Sequence, residues 1–102
     1  MIARIWRTGL DESRAAEYDR FAQQRSLPMF RRRPGLLGVL LTRSAGSRAV
    51  ITFWADRAAA DALDTSPDYR ETVAAISAAG FLRPPQSVEL LEVDGGWLPP
   101  AP

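Results

Sequence analysis

Two segments in the middle of the chain are almost continuously apolar. Leu36 to Thr42 and Ala49 to Trp54 are short and rich in branched side chains, which predicts two buried β-strands. Residues 43–47 between them are small and polar and predict a hairpin loop. Residues 2–8 predict an earlier strand, and Ser87 to Val93 predict a last one.

The segment after the first strand carries the signals of a helix. Thr8-Gly9-Leu10-Asp11 resembles a capping box and predicts a helix from about Leu10 to Gln24. Pro28 should end this helical region, because proline lacks the backbone N–H that a helix needs. Residues 27–35 are then expected to form a loop, which Pro34-Gly35 closes as a turn.

The region after the third strand predicts a broken helix. Ala55 to Leu63 is rich in alanine and should be capped by Asp56. Ser66-Pro67 restarts the helix, with serine as the cap and proline in the first turn. Gly80 should end it after Ala79.

The predicted order of strand, helix, strand, strand, helix and strand is typical of one fold class. It indicates an α+β domain of ferredoxin-like βαββαβ type, with an antiparallel sheet and helices on one face. Residues 1–94 should form this domain, and residues 95–102, which are rich in proline and glycine, should form a tail.

The middle strands are apolar on both sides, although helices can cover only one face of the sheet. In strict alternation Leu37, Val39 and Leu41 point one way, and Leu36 and Leu40 point the other. We therefore expect a homodimer in which a second copy covers the open face. The alternative is that the exposed apolar side chains are tolerated, as they commonly are.

The composition of the 102-residue chain excludes several classes of site. The sequence has no Cys, His, Lys or Asn, which rules out thiolate, Ser-His-Asp and Schiff-base chemistry and ordinary zinc sites. The thirteen basic residues, all Arg, are balanced by twelve carboxylates, and a net charge this small argues against a nucleic-acid partner. No membrane-spanning run or signal peptide is recognisable, so the cytoplasm is the expected location. The run Arg31-Arg32-Arg33 is either a solvated loop or a clamp for an anionic group.

Four segments of the sequence together resemble a known family over about residues 1–94. They are Ile2 to Arg7, Tyr18 to Phe21, Leu27 to Gly38 with its Pro-Gly turn, and Phe53 to Asp56. They resemble the antibiotic biosynthesis monooxygenase (ABM) superfamily of dimeric α/β barrels. The resemblance implies a pocket between sheet and helices that is lined by aromatic side chains. Some members of the superfamily oxidise aromatic polyketides with O2 and no cofactor, and others bind and degrade haem.

The resemblance also suggests positions for the working residues. The tryptophan that closes the third strand in the family corresponds to Trp54. The Ser66-Pro67-Asp68-Tyr69 helix start matches the family's Ser-x-x-aromatic pattern, which places the haem-ligand position near Val73, a residue that cannot ligate iron. The family's first-strand asparagine falls near Trp6. The resemblance therefore implies a protein without haem or another cofactor.

Two residues are the leading catalytic candidates. Trp54 could form an aromatic wall for a planar ligand, or could simply be core packing. Arg4 and Arg7 lie on opposite faces of the first strand, so one of them must point inward. Arg4, expected near Thr52, could hold a phenolate or carboxylate and stabilise developing negative charge. The alternative for Arg4 is an ion pair with a carboxylate of the last strand, at Glu89, Glu92 or Asp94.

Further aromatic and apolar residues are candidates for the helix side and mouth of the pocket. The predicted ligand-binding residues are Tyr18, Phe21, Met29, Phe30, Tyr69 and Phe81. Their alternatives are core packing or, for Tyr69, an exposed surface position; Trp6 is expected in core or dimer packing. Asp61, Asp64 and Asp68 are expected at a solvated helix end rather than in a metal site.

The sequence thus leaves three hypotheses for function. The first is an ABM-type domain that binds a planar aromatic or apolar small molecule and oxidises it with O2. The second is a non-catalytic dimeric ligand-binding or scaffold protein. The third is an aromatic polyketide cyclase or isomerase, which needs only acid–base positioning.

Overall fold

The computed structural model describes residues 1–100 and has the predicted ferredoxin-like α+β architecture. The four strands pair antiparallel in the order β2-β3-β1-β4, with the helices on one face. The elements in chain order are β1 (Ile2–Leu10), α1 (Ala15–Phe21), α2 (Leu27–Arg31), β2 (Leu36–Ser44), β3 (Ser47–Trp54), α3 (Arg57–Leu63), α4 (Pro67–Ala78) and β4 (Leu82–Glu92).

The first helical region begins later than the sequence pattern predicts. β1 continues to Leu10, which still pairs with β4, so the predicted capping box at residues 8–11 is wrong. A 3₁₀ turn, Glu12–Arg14, precedes α1. The Asp11 side chain caps this turn, since its Oδ1 accepts a hydrogen bond of 3.1 Å from the Ser13 N–H.

Pro28 does not end the helical region, contrary to the prediction. A π-helical segment, Ala22–Ser26, joins α1 to α2, and the helix continues to Arg31. Pro28 is the second residue of α2 and directly follows the π-helical segment, whose irregular hydrogen bonding accommodates a residue without an N–H. The predicted loop of residues 27–35 therefore shrinks to residues 32–35.

The two middle strands follow the predicted alternation only in part. In β3 every second residue is buried, and the buried set ends with Thr52 and Trp54. In β2 a bulge between Leu36 and Gly38 shifts the pairing, so Leu36 joins the helix-facing side. Leu37, which the strict alternation grouped with Val39 and Leu41, is instead 57% exposed.

The later helices begin where the sequence predicts. Asp56 caps α3 by accepting a hydrogen bond of 2.8 Å from the Ala59 N–H, and Ser66 caps α4 with Pro67 in its first turn. β4 begins earlier than predicted, at Leu82, and passes through Pro84-Pro85. Proline is tolerated there because β4 is an edge strand and its pairing with β1 is irregular at this point.

Residues 93–100 contain no helix or strand, and the last two residues of the predicted tail, Ala101 and Pro102, lie outside the described residues. Within the described part of the chain, no helix is long and apolar enough to cross a membrane.

Two hydrophobic clusters form the core between sheet and helices. One contains Trp54, Met29 and Phe30, and the other contains Tyr18 and Phe81, among others. Trp6 is only partly buried and packs against both clusters. The space between the two clusters is therefore bounded by an indole ring from the middle of β1.

Candidate functional site

A cavity of about 80 Å³, partly open to solvent, lies between the sheet and the helices. This volume is below the roughly 300–1,000 Å³ of typical small-molecule sites, so a ligand of ordinary size would extend through the open side. Most of its lining is apolar. From the sheet it is lined by Arg4, Trp6, Val50 and Thr52, and from the helices by Tyr18, Met29, Phe30 and Tyr69, among others.

One face of α4 forms a long wall of the cavity. The lining residues of this helix recur at helical spacing and are Tyr69, Thr72, Val73, Ile76 and Ser77. The wall spans nine residues, and the eight steps between them at 1.5 Å each give about 12 Å. The cavity therefore follows α4 for about two helical turns.

Arg4 places a buried cation in this apolar space. Its residue is 5% exposed, and its Nη2 donates hydrogen bonds to the Tyr69 hydroxyl (3.0 Å) and to Asp64 Oδ1 (3.3 Å). The Asp64 side chain is 67% exposed, so it neutralises the guanidinium only from the solvent side. One nitrogen makes both bonds within the described residues, which leaves Nε and Nη1 as donors for a ligand.

Arg7 occupies the opposite face of β1 and has the partner that was considered for Arg4. Its Nη1 lies 3.0 Å from Glu89 Oε1, and both side chains are about half exposed. The ion pair with the last strand is therefore formed by Arg7. Arg4 instead lies opposite Thr52 in the pairing of β1 with β3, as predicted.

Trp54 lies behind the cavity rather than on its wall. Its side chain is fully buried, at 1% exposure, and packs in the core cluster with Ile2 and Leu63. Its Nε1 donates a hydrogen bond of 2.8 Å to Thr52 Oγ1, and Thr52 does line the cavity. Trp54 lines a separate cavity of about 200 Å³ together with Arg33 and Leu63, so its role as a ligand wall stays a prediction. It reaches the first cavity only through Thr52.

Phe21 and Phe81 also lie outside the cavity lining, although they were predicted to contact a ligand. The Phe81 ring meets Tyr18 edge-to-face at 6.0 Å between centroids and meets Phe21 at 6.4 Å. Such contacts contribute roughly 0.5–1.5 kcal/mol each beyond area burial. The two phenylalanines thus hold Tyr18, which does line the cavity.

Trp6 is a cavity residue that sequence reasoning assigned to core or dimer packing. It lies opposite Val50 on the helix-facing side of β1, two residues from Arg4. Residues two apart in a strand share a face. Because Trp6 and Arg4 point to the same face of β1, an inward-pointing Arg4 implies that Trp6 also points toward the helices.

The three clustered aspartates each pair with arginine. Asp61 pairs with Arg57, Asp64 pairs with Arg4, and Asp68 accepts hydrogen bonds from Arg32 (3.0 Å) and Arg33 (2.7 Å). The hydrogen bond from Arg32 is the main cause that lowers the pKa of Asp68. Within the described residues, two of the three consecutive arginines are thus tied to the start of α4, which fixes the helix that carries Tyr69.

The cavity does not offer the donors that haem iron needs. Val73, the position that the resemblance relates to the haem ligand, lines the cavity with an apolar side chain. The chain has neither histidine nor cysteine, and Met29, although it lines the cavity, is only 1% exposed. Of the two cavity tyrosines, Tyr69 is hydrogen-bonded to Arg4, and burial raises the pKa of Tyr18, which disfavours the ligating phenolate. The residues present do not fit haem.

Comparison with solved structures finds close relatives of this fold at low sequence identity. SnoaB, a cofactor-independent oxygenase from Streptomyces nogalater, aligns with a TM-score of 0.74 at 21% identity, covering 96% of both chains. A Caulobacter crescentus protein assigned as an antibiotic biosynthesis monooxygenase aligns at 0.77 with 20% identity, covering 92% of this chain and 90% of its own. A Deinococcus radiodurans protein of the same assignment aligns at 0.77 with 13% identity, covering 96% and 97%.

No protein-family model matches the sequence, and the curated proteins give no match. The likeness to the solved structures therefore concerns the fold, and it confirms at that level the resemblance inferred from the sequence. This chain has the ferredoxin-like α+β fold of the antibiotic biosynthesis monooxygenases.

Proposed function

We propose that this chain, as a cytoplasmic homodimer, binds a planar aromatic molecule with an acidic oxygen and oxygenates it with O2, without a cofactor. The aromatic part of the ligand would lie against Trp6 and the apolar side chains of the cavity. Its ionised oxygen would lie at Arg4 and Tyr69. Trp54 supports this site from the core, through Thr52.

The observation that carries the proposal is the burial of Arg4 in a largely apolar cavity. A buried guanidinium is costly unless it is paired, and its carboxylate partner Asp64 is mostly in water. An anionic oxygen in the cavity would complete the set of hydrogen bonds to Arg4. Charge-assisted hydrogen bonds of this kind each contribute about 1.5–3 kcal/mol.

Arg4 and Tyr69 together also suit the oxidation of an electron-rich aromatic ring. Arg4 favours the ionised form of the substrate, and the carbanion or phenolate then supplies the electrons to O2. For an anthrone-type CH2 group, one oxygen atom of O2 becomes the new C=O. The other oxygen atom leaves as water with both hydrogens of the CH2. The Tyr69 hydroxyl accepts a hydrogen bond from Arg4, so its own proton is available to the substrate or peroxide oxygen.

The proposed homodimer rests on the open face of the sheet. That face is lined by apolar side chains from all four strands, namely Ile5, Leu40, Ile51, Phe53 and Leu91. Leu40 and Leu91 are both 42% exposed. Contiguous apolar surface of this kind is typical of association surfaces, and a second copy offers the same face.

The fold likeness to SnoaB, named as a cofactor-independent oxygenase, supports the choice of oxygenation over other reactions of the same cavity. The test is oxygen uptake by the purified protein with an anthrone and with a dihydroxynaphthalene, together with identification of the product. The wild type is compared with Arg4→Gln and with the control Arg57→Gln, which alters an exposed arginine that, like Arg4, pairs with an aspartate.

We expect uptake of one O2 per quinone formed, and a loss of about 10- to 100-fold in catalytic efficiency for Arg4→Gln only. A substrate that binds without oxygen uptake would favour a ligand-binding protein. Conversion of the substrate without oxygen uptake would favour a cyclase or isomerase. Equal effects of the two substitutions would contradict the role of Arg4.

A further inference from the structure

Tyr18 brings a second polar group to the cavity, remote from Arg4. The residue is 4% exposed and lines the cavity, yet within residues 1–100 its hydroxyl makes no hydrogen bond to another protein group. The oxygen is not sealed off, because among the described residues Arg33 Nε is the only fully buried side-chain polar atom without a partner. This hydroxyl is therefore a donor without a protein acceptor, next to an open space.

The surroundings of Tyr18 keep its ring in place and keep its hydroxyl neutral. The Phe81 ring meets it edge-to-face at an interplanar angle of 83°, and the Arg48 guanidinium lies 5.8 Å from the ring centroid. Burial is the main cause that raises the pKa of Tyr18 above its ordinary value of 10.0. At neutral pH the group is a phenol that can donate one hydrogen bond.

Tyr18 and the Arg4–Tyr69 pair belong to different ends of the cavity. Tyr69 packs against the cluster of Met29 and Trp54, whereas Tyr18 packs in the cluster that contains Ile76. Tyr69 and Ile76 are seven residues apart on α4, or roughly 10 Å along the helix. Trp6 packs against both clusters and bridges the distance between them.

We infer that the Tyr18 hydroxyl donates a hydrogen bond to a neutral acceptor oxygen, at the end of the ligand opposite the anionic oxygen held by Arg4. This inference rests on the proposed function and narrows its substrate class. The ligand is an elongated flat aromatic, with an ionised oxygen at one end and a carbonyl or ether oxygen at the other. Tyr18 is then a specificity-determining residue.

The test is calorimetric titration with two naphthoates that differ at the end remote from the carboxylate. One carries a methoxy group there, and the other carries an ethyl group of nearly the same shape that cannot accept a hydrogen bond. The proteins compared are the wild type, Tyr18→Phe and Tyr69→Phe. Thermal unfolding of each variant is measured without ligand.

We expect the wild type to prefer the methoxy compound by about 3- to 10-fold, as for one neutral hydrogen bond. Tyr18→Phe should abolish this preference, while Tyr69→Phe should lower the affinity for both compounds by the same factor. Tyr18→Phe should not lower the Tm, because no protein hydrogen bond is lost.

Other results would overturn the inference, and they distinguish failure of the Tyr18 role from failure of the proposed function. A preference that survives in Tyr18→Phe, or a wild type that binds both compounds equally, refutes the role of Tyr18 and leaves the proposed function intact. A lowered Tm for Tyr18→Phe shows that the hydroxyl has a protein partner. Binding of neither compound to the wild type contradicts the proposed anion site itself, and the inference with it.

Discussion

The indole N–H of Trp54 donates a hydrogen bond of 2.8 Å to the hydroxyl of Thr52, two residues earlier on the same face of β3. Both side chains are 1% exposed, but only Thr52 lines the cavity. The bond fixes the orientation of a hydroxyl that sits beside Arg4 in the sheet. The largest core side chain therefore influences the cavity without contacting its contents.

Replacing Trp54 should measure this coupling. Trp54→Phe should lower the free energy of unfolding by about 1–3 kcal/mol, because Thr52 loses a buried donor, with packing losses in addition. Urea denaturation followed by circular dichroism gives the value. In a Thr52→Val background the same substitution should cost less, since the bond is already absent. Strict additivity of the two substitutions would show that the hydrogen bond contributes nothing.

Substitutions at two glycines with positive φ measure the cost of backbone strain separately from the cost of steric overlap. Gly46 has φ +73° with nothing within 4 Å of an added Cβ, whereas Gly35 has φ +79° and an added Cβ would lie 2.6 Å from Ala59 Cβ. Gly46→Ala should cost about 1–2 kcal/mol, the strain of the left-handed conformation. Gly35→Ala should cost clearly more. Because Ala59→Gly alone costs about 1 kcal/mol in α3, the Ala59→Gly protein serves as its own reference. Against that reference Gly35→Ala should cost about as much as Gly46→Ala, as measured by chemical denaturation; an unchanged high cost would argue against the overlap.

Stability should fall in acid because of the pair formed by Glu12 and Arg48. Hydrogen bonds from Arg48, at 2.8 and 3.0 Å, hold the pKa of Glu12 below its ordinary value of 4.5. Unfolding raises that pKa, so the contribution is complete above pH 4.5 and is lost as the pH falls through the lower folded value. The urea midpoint should therefore decrease below pH 4.5.

Glu12→Gln should reduce this pH dependence, because glutamine does not titrate. Glu71→Gln is the matched control, at an exposed position that forms no ion pair within residues 1–100. If both variants keep the full acid sensitivity of the wild type, the Glu12–Arg48 pair is not its source.

A charge on the open sheet face should separate the proposed dimer. Leu40→Glu places a carboxylate where a second copy would pack, and light scattering should then return the mass of one chain. Val88→Glu is the control, since Val88 is 52% exposed but lies opposite Trp6, on the helix side of the sheet. A wild type that is already monomeric at micromolar concentration would refute the dimer.

Local patterns in the sequence predicted the fold well where the controlling interaction is itself local. The caps at Asp56 and Ser66 and the alternation of β3 depend on neighbouring residues, and the structure confirms them. Pro28 misled the prediction, because its tolerance depends on the π-helical segment before it. The bulge after Leu36 depends on pairing with β3, which no local pattern reveals.

The sequence predicted which chemical groups the candidate site contains, but not which of them line the cavity. Arg4, Trp6 and Trp54 all face the helices, as expected from the alternation of side chains along β1 and β3. Whether each of them meets a helix or an open space depends on where the helices pack. Trp54 packs with Leu63 of α3 and does not line the cavity at Arg4, whereas Trp6 does, and only the folded chain shows that difference.

The π-helical segment Ala22–Ser26 contains more residues than an α-helix of the same rise would hold. It absorbs the surplus between Tyr18 on one side and Met29 and Phe30 on the other, and all three line the cavity. The surplus is dispensable in principle. A shortened chain that lacks one of the exposed Gln23 and Gln24 could wind this stretch as ordinary α-helix and still roof the cavity with the same side chains.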